Sequence, residues 1–267
     1  MKATINEIDI DYRDQGSGLP VILIHAFPLD QRMWDDQIQP LGNICRVITL
    51  DLRGLGESGA PSAEYSLTDM ASDVRGLMRR LSIDRAVLVG LSMGGYVSMA
   101  FYREYPDGLL GLVLSDTRIG ADTEEGRARR FASAKKAEQQ GAAAIAADIV
   151  PVLLGRTSID QRPRVVERVT RMAESNSPRG IACAQRAMAN RPDSRLLMAS
   201  AGFPVLLICG EEDTLSPPAE MEEMQRGIPG ATLKVIERAG HLPNMEQPDK
   251  FNSILSGFIA SFDQSAE

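Results

Sequence analysis

A serine between glycines, a histidine after a glycine and an aspartate after an apolar run can together perform nucleophilic attack on a carbonyl. The serine stands where the apolar run Val87-Leu88-Val89 enters Gly90-Leu91-Ser92-Met93-Gly94 and a helical pattern follows. This is G-x-S-x-G in a strand–turn–helix setting, which aims a serine Oγ out of the edge of a sheet. Gly90 and Gly94 flank the turn because a Cβ at either position would collide with the neighbouring strand and helix. The helix that follows turns free backbone N–H groups toward any oxyanion formed beside Ser92.

Serine is a weak nucleophile near neutral pH and needs a base. The chain has 2 histidines. His241 lies in Arg238-Ala239-Gly240-His241-Leu242-Pro243, after an apolar run and before the last helical pattern, and it is the candidate base. His25 directly follows Val21–Ile24. A third group should hold the base in its working tautomer and stabilise the imidazolium. Asp213 follows Val205–Cys209 and is preferred, Asp116 after Leu112–Leu114 is the rival, and Glu211 and Glu212 are weaker candidates.

Eight short apolar runs can hold these residues: Ala3–Ile5, Ile8–Tyr12, Val21–Ile24, Val47–Leu50, Ala86–Val89, Leu112–Leu114, Val205–Ile208 and Leu233–Ile236. Runs such as Val21–Ile24 are apolar throughout, as expected of strands covered on both faces in a mainly parallel sheet. Helical spacing marks Leu67–Leu81, with Ser66 or Thr68 as cap, and helices are also expected at Gly94–Tyr105 and Pro248–Phe262. From 118 to 195 the alternation breaks into an Ala- and Arg-rich helical stretch whose one strand-like run is Ile149–Leu154. That stretch holds 15 Lys/Arg against 9 Asp/Glu, a net of +6 that leaves −13 elsewhere. The expected organisation is a core of residues 1–117 and 196–267 with a helical insertion at 118–195, too long for an ordinary connection.

At 267 residues, 43% hydrophobic and 24% charged, the chain fits one large globular domain and neither a disordered nor a fibrous class. A net charge of −7 argues against nucleic acid or a membrane surface as partner. Cys45, Cys183 and Cys209 are widely spaced with no C-x-x-C, which indicates neither a disulfide framework nor zinc. Glu7, Asp9 and Asp11 stand where a signal peptide would be apolar, so a cytoplasmic protein is expected. Gly54 and Gly56 give only G-x-G, and no G-x-G-x-x-G or P-loop occurs, so no nucleotide cofactor is expected. No cluster of ligand-type residues suggests a metal. The loop holding Asp51 and Arg53 is expected instead to brace the serine turn.

The order Ser92, Asp213, His241, together with His25-Ala26-Phe27-Pro28, Asp51–Ser58, Gly210–Asp213 and Gly240-His241, resembles the α/β-hydrolase superfamily over about residues 20 to 250. Within it the chain looks like the small carboxylesterases and enol-lactonase-like hydrolases, with bacterial perhydrolase-type esterases close behind. The resemblance implies an α/β fold with a mostly parallel eight-stranded sheet, flanking helices and a helical cap at 118–195 over Ser92. It makes the backbone N–H groups of Phe27 and Met93 the oxyanion donors and gives His25 a bracing role. Ala26 departs from the usual glycine and raises the question of backbone strain. Phe27, Trp34, Met93 and Met99 are candidates to line an acyl pocket, with core packing the alternative for Trp34 and Met99. The implied activity is hydrolysis of a small ester or lactone without cofactor. C–C bond hydrolysis on the same triad, or a non-enzymatic ligand-binding receptor, are the alternatives. A serine nucleophile argues against epoxide hydrolase or dehalogenase chemistry. Monomer and small homo-oligomer both stay open.

Overall fold

The computed structural model describes residues 1–263, so the last four residues of the second core segment lie outside the described residues. Eight strands form one sheet: β1 (Lys2–Ile5), β2 (Ile8–Gln15), β3 (Pro20–Ile24), β4 (Arg46–Leu50), β5 (Ala86–Leu91), β6 (Leu109–Ser115), β7 (Val205–Gly210) and β8 (Thr232–Ile236). Their order is β1-β2-β4-β3-β5-β6-β7-β8. The pairs β1/β2 and β2/β4 are antiparallel and the other five are parallel. All eight expected runs are strands. Their composition follows the pairing: the antiparallel β1 alternates buried and exposed residues, whereas every residue of the central β5 is buried.

Helices α1 (Asp35–Gly42), α2 (Leu67–Arg80) and α3 (Met93–Glu104) belong to the first half of the sheet. Ser66 caps α2 in a capping box: its Oγ accepts the Asp69 N–H at 3.2 Å, and Asp69 Oδ2 accepts the Ser66 N–H at 2.8 Å. Between β6 and β7 run six helices, α4 (Glu124–Gln140), α5 (Ala142–Leu153), α6 (Arg156–Gln161), α7 (Pro163–Glu174), α8 (Pro178–Ala189) and α9 (Arg195–Ala199). Helices α10 (Pro218–Gly227), α11 (Pro243–Glu246) and α12 (Pro248–Asp263) complete the chain.

The strand-like run Ile149–Leu154 is not a strand; all but its last residue belongs to α5. Its apolar residues continue a helical stripe that begins upstream, with Ala142, Ile145, Ala146, Val150 and Leu153 buried. Alanine-rich faces let α4 pack on α8 and α5 on α7. The charge asymmetry joins this helical layer to the rest. Arg168 of α7 donates to Asp36 of α1 at 2.6 Å, and Arg186 of α8 lies 3.4 Å from Glu64. No helix among the described residues is long and apolar enough to cross a membrane.

Candidate active site

Five candidate residues follow the carboxyl ends of parallel strands, where open α/β sheets bind ligands: Phe27 after β3, Ser92 after β5, Asp116 after β6, Asp213 after β7 and His241 after β8. Ser92 has φ 54° and ψ −109°, a left-handed backbone that costs a side-chain-bearing residue about 1–3 kcal/mol. The end of β6 holds it there. The Ser92 N–H donates to Ser115 O at 2.8 Å, and Thr117 Oγ1 donates to Ser92 O at 2.7 Å. The glycines are required by contact: a Cβ on Gly90 would lie 2.3 Å from Gly94 O, and one on Gly94 would lie 2.1 Å from Ile24 O. Met93 opens α3, so its N–H has no helix carbonyl one turn back to donate to.

His241 Nδ1 lies 2.8 Å from Asp213 Oδ2, with both side chains buried. Burial pushes the Asp213 carboxyl up, but the imidazole charge and hydrogen bond of His241, with the N–H groups of Leu215 and Ser216, hold it below the usual range. Asp116 is also buried, within 4.8 Å of both groups, and has φ 46°. Its Oδ1 accepts the Gly210 N–H at 2.9 Å and its Oδ2 the Ser115 hydroxyl at 2.6 Å. Burial, and then the charge of Asp213, raise the Asp116 carboxyl well above the usual range. The histidine is therefore bonded to Asp213, and the rival acid, its carboxyl pushed up by burial, bonds Ser115 and Gly210 instead. Among the described residues, Asp116, Asp213 and His241 are the one cluster of metal-ligand types. Within it the Asp213 and Asp116 carboxyls already accept from His241, Leu215, Ser115 and Gly210, while His241 Nε2 keeps a free lone pair.

Glu246, which the sequence reading passes over, fastens the histidine loop. Its Oε1 accepts the N–H groups of Gly240 at 2.8 Å and Leu242 at 3.2 Å, and its Oε2 that of Gly155 at 2.9 Å. Burial raises its carboxyl in spite of these donors. The His241 N–H donates to Leu153 O at 3.1 Å, so the junction of α5 and α6 touches the loop directly. The available signal is a carboxylate directly after Met245, five residues past His241.

On the other side of the site, His25 Nε2 accepts the Leu52 N–H at 2.9 Å, which leaves Nδ1 protonated toward Ala26 O at 2.9 Å. Burial lowers its pKa, against the charge of Asp51, so the ring is a neutral brace. Ala26 is absent from the residues with positive φ, so its departure from glycine costs no backbone strain. The Phe27 N–H meets no acceptor among the described residues. The loop at Asp51 does not brace the serine turn, contrary to expectation. Asp51 accepts the N–H groups of Gln31 and Glu57, each at 2.8 Å, and Arg53 grips Asp73 of α2 at 2.6 and 2.7 Å. It braces the segment that carries Phe27 instead.

Ser92 and His241 share a cavity of about 150 Å³ with Phe27, Tyr96, Leu215 and Ser216. The helices between β6 and β7 line it with Arg130, Ile149, Leu153, Gln185 and Met188, none of which the sequence marked as a site residue. Three of the four pocket candidates lie elsewhere. Trp34 is fully buried against Phe251, ring centroids 6.0 Å apart, and belongs to the core. Met99 lines a neighbouring cavity of about 90 Å³ with Ser66 and Tyr96. The Met93 side chain is buried in the core.

A family model for the alpha/beta hydrolase fold matches residues 20–248, and the chain belongs to that family. It is similar to a thermophilic esterase from Thermogutta terrifontis solved with malate bound, 40% identical, with a TM-score of 0.95 over 98% of each chain. The enol-lactonase from Burkholderia xenovorans LB400 is 28% identical with a TM-score of 0.90, covering 97% of this chain and 100% of that one. 3-Oxoadipate enol-lactonase 2 of Acinetobacter baylyi is 28% identical over 261 residues, which is 97% of this chain and 96% of the relative.

Proposed function

We propose that this member of the α/β hydrolase family is a serine hydrolase that cleaves a small carboxylic ester or lactone through an acyl-enzyme on Ser92. The observation that carries the reading is the Asp213–His241 hydrogen bond of 2.8 Å bordering the cavity that holds Ser92. The named esterase and enol-lactonases are its second support.

With Nδ1–H committed to Asp213, the Nε2 lone pair of His241 takes the Ser92 hydroxyl proton as Oγ bonds to the substrate carbonyl carbon. The carbonyl oxygen becomes an oxyanion that accepts the N–H groups of Phe27 and Met93, each worth about 3 kcal/mol. Collapse breaks the bond to the leaving alkoxide, which takes the proton from His241 Nε2. Water then gives a proton to Nε2 as its oxygen adds to the acyl carbon. Expulsion of Ser92 Oγ, which recovers that proton, releases the acid. With a lactone the alkoxide stays tethered to the acyl chain. Residues 118–195 act as a helical cap on the core formed by 1–117 and 196–267, closing the cavity over Ser92. Three buried free thiols support a cytoplasmic location.

The test is steady-state turnover of a panel of short esters and lactones by wild type and Ser92→Ala. Turnover by wild type that Ser92→Ala lacks is the expected result. A single slow turnover in wild type would favour a ligand-sensing protein instead.

A further inference from the structure

The cavity that Ser92 shares with His241 has two charged side chains besides the catalytic pair on its wall, and both are arginines: Arg118 just past β6 and Arg130 on α4. No other carboxylate or lysine lines it among the described residues. Arg130 is already fixed in place. Its Nε donates to Asp122 Oδ2 at 2.5 Å and its Nη1 to Gln185 Oε1 at 3.2 Å, while Nη2 meets no acceptor among the described residues. Arg118 Nη2 donates to Leu215 O at 2.5 Å and to Glu220 Oε1 at 3.1 Å, and its Nη1 likewise meets none.

The charges around this wall do not cancel. Away from the Asp213–His241 pair, Asp122 serves both Arg130 and Arg191, the latter at 2.7 Å, and Glu220 serves Arg118, so three arginines share two carboxylates. Phe27, Ile149, Leu153 and Met188 make the rest of the surroundings largely apolar. Unmatched positive charge beside apolar surface favours an anionic ligand, and a guanidinium edge suits a planar carboxylate.

We propose that the ester or lactone cleaved at Ser92 carries a carboxylate, and that Arg130 is the specificity-determining residue that binds it, with Arg118 adding charge at the same wall. This rests on the hydrolase reading above. Because Asp122 and Gln185 hold two nitrogens of Arg130, the third is aimed in advance and little side-chain freedom is lost on binding.

The experiment compares kcat and KM for monoethyl succinate and monoethyl adipate with ethyl butanoate and ethyl hexanoate, and for acetoxyacetate with propyl acetate. Wild type, Arg130→Gln, Arg130→Lys and Arg118→Gln are assayed, with thermal melting as the check on folding. Wild type should prefer at least one anionic ester over its neutral counterpart. Arg130→Gln should cut that preference roughly 10- to 100-fold, chiefly through KM, and Arg130→Lys should restore part of it. Preference for neutral esters throughout, or a preference that Arg130→Gln leaves intact, overturns the proposal. If no ester is turned over and Ser92 resists labelling, the hydrolase reading has failed, and calorimetric titration of Ser92→Ala with monoethyl succinate decides the anion site alone. Heat that disappears in Ser92→Ala/Arg130→Gln supports the site; absence of heat overturns it.

Discussion

Asp213 Oδ2 lies 2.8 Å from His241 Nδ1, while the equally buried Asp116 makes its hydrogen bonds to Ser115 and Gly210. Two carboxyls stand within reach of one imidazole, and their partners divide the labour between them. Asp213 meets the histidine and two backbone donors and stays ionised. Asp116 has no cation of its own among the described residues, and burial beside Asp213 pushes its carboxyl up.

Asp213→Asn should therefore lower kcat by about 10⁴, the scale of losing the histidine's orienting acid, because an amide favours the wrong imidazole tautomer. Asp116→Asn should change kcat/KM by less than about tenfold, since Asp116 bonds Ser115 and Gly210 and the histidine keeps its Asp213 partner. Side-by-side kinetics on one ester decide the ranking, and the reverse order would move the acid to Asp116.

The Asp116 carboxyl also makes a stability prediction with a definite sign. Its folded pKa is raised, so between its ordinary value and the folded one the native state holds a proton that the unfolded chain has released, and stability falls as pH rises. Asp116→Asn removes that loss. Differential scanning calorimetry should find the variant melting above wild type at pH 8, with the difference shrinking toward pH 4. A difference that grows on acidification would mean Asp116 is ionised in the fold.

Glu246 ties Gly240 and Leu242, on either side of His241, to Gly155 between α5 and α6. Glu246→Ala would strand three buried N–H groups and should cost about 3 kcal/mol or more by chemical denaturation. Glu246→Gln keeps one acceptor oxygen and should fold, yet lower kcat by roughly 10- to 100-fold through a loosened histidine loop. Unchanged kcat in a folded Glu246→Gln would assign Glu246 a structural role only.

The serine turn tolerates no added methyl where backbone faces it. Gly94→Ala places Cβ 2.1 Å from Ile24 O, whereas Gly95→Ala meets the Thr117 side chain at 2.6 Å. Gly94→Ala should destabilise the protein by more than about 2 kcal/mol and exceed the effect of Gly95→Ala, because a side chain can move where a sheet carbonyl cannot. Urea unfolding of both variants checks the order.

The strands and their end residues were legible because a parallel sheet demands unbroken apolar runs, and Val21–Ile24, Ala86–Val89 and Val205–Ile208 supply them without ambiguity. The glycines around Ser92 followed from short-range geometry, whereas the choice between Asp213 and Asp116 stayed open until the strand ends were brought together. The cavity wall was not legible, because Arg130, Gln185 and Met188 come from α4 and α8, where one residue in a helical pattern can face solvent, core or ligand equally well. Trp34 and Met99 lie outside the cavity that Ser92 borders, in line with the core-packing alternative for Trp34, because nearness in sequence to the oxyanion loop or the nucleophile does not set a side chain's direction. Ile149–Leu154 is strand-like over six residues only because Pro151 interrupts a helical stripe, and it belongs to the helical stretch the sequence marks at 118–195.

The most direct test of the account is fluorophosphonate labelling of the purified protein, with the adduct mapped by peptide mass, alongside His241→Ala. Labelling confined to Ser92 and lost in His241→Ala is the predicted result, because the reaction needs a serine that a neighbouring imidazole deprotonates. A folded wild-type protein that stays unlabelled, or is labelled elsewhere, would contradict the assignment of Ser92 as nucleophile.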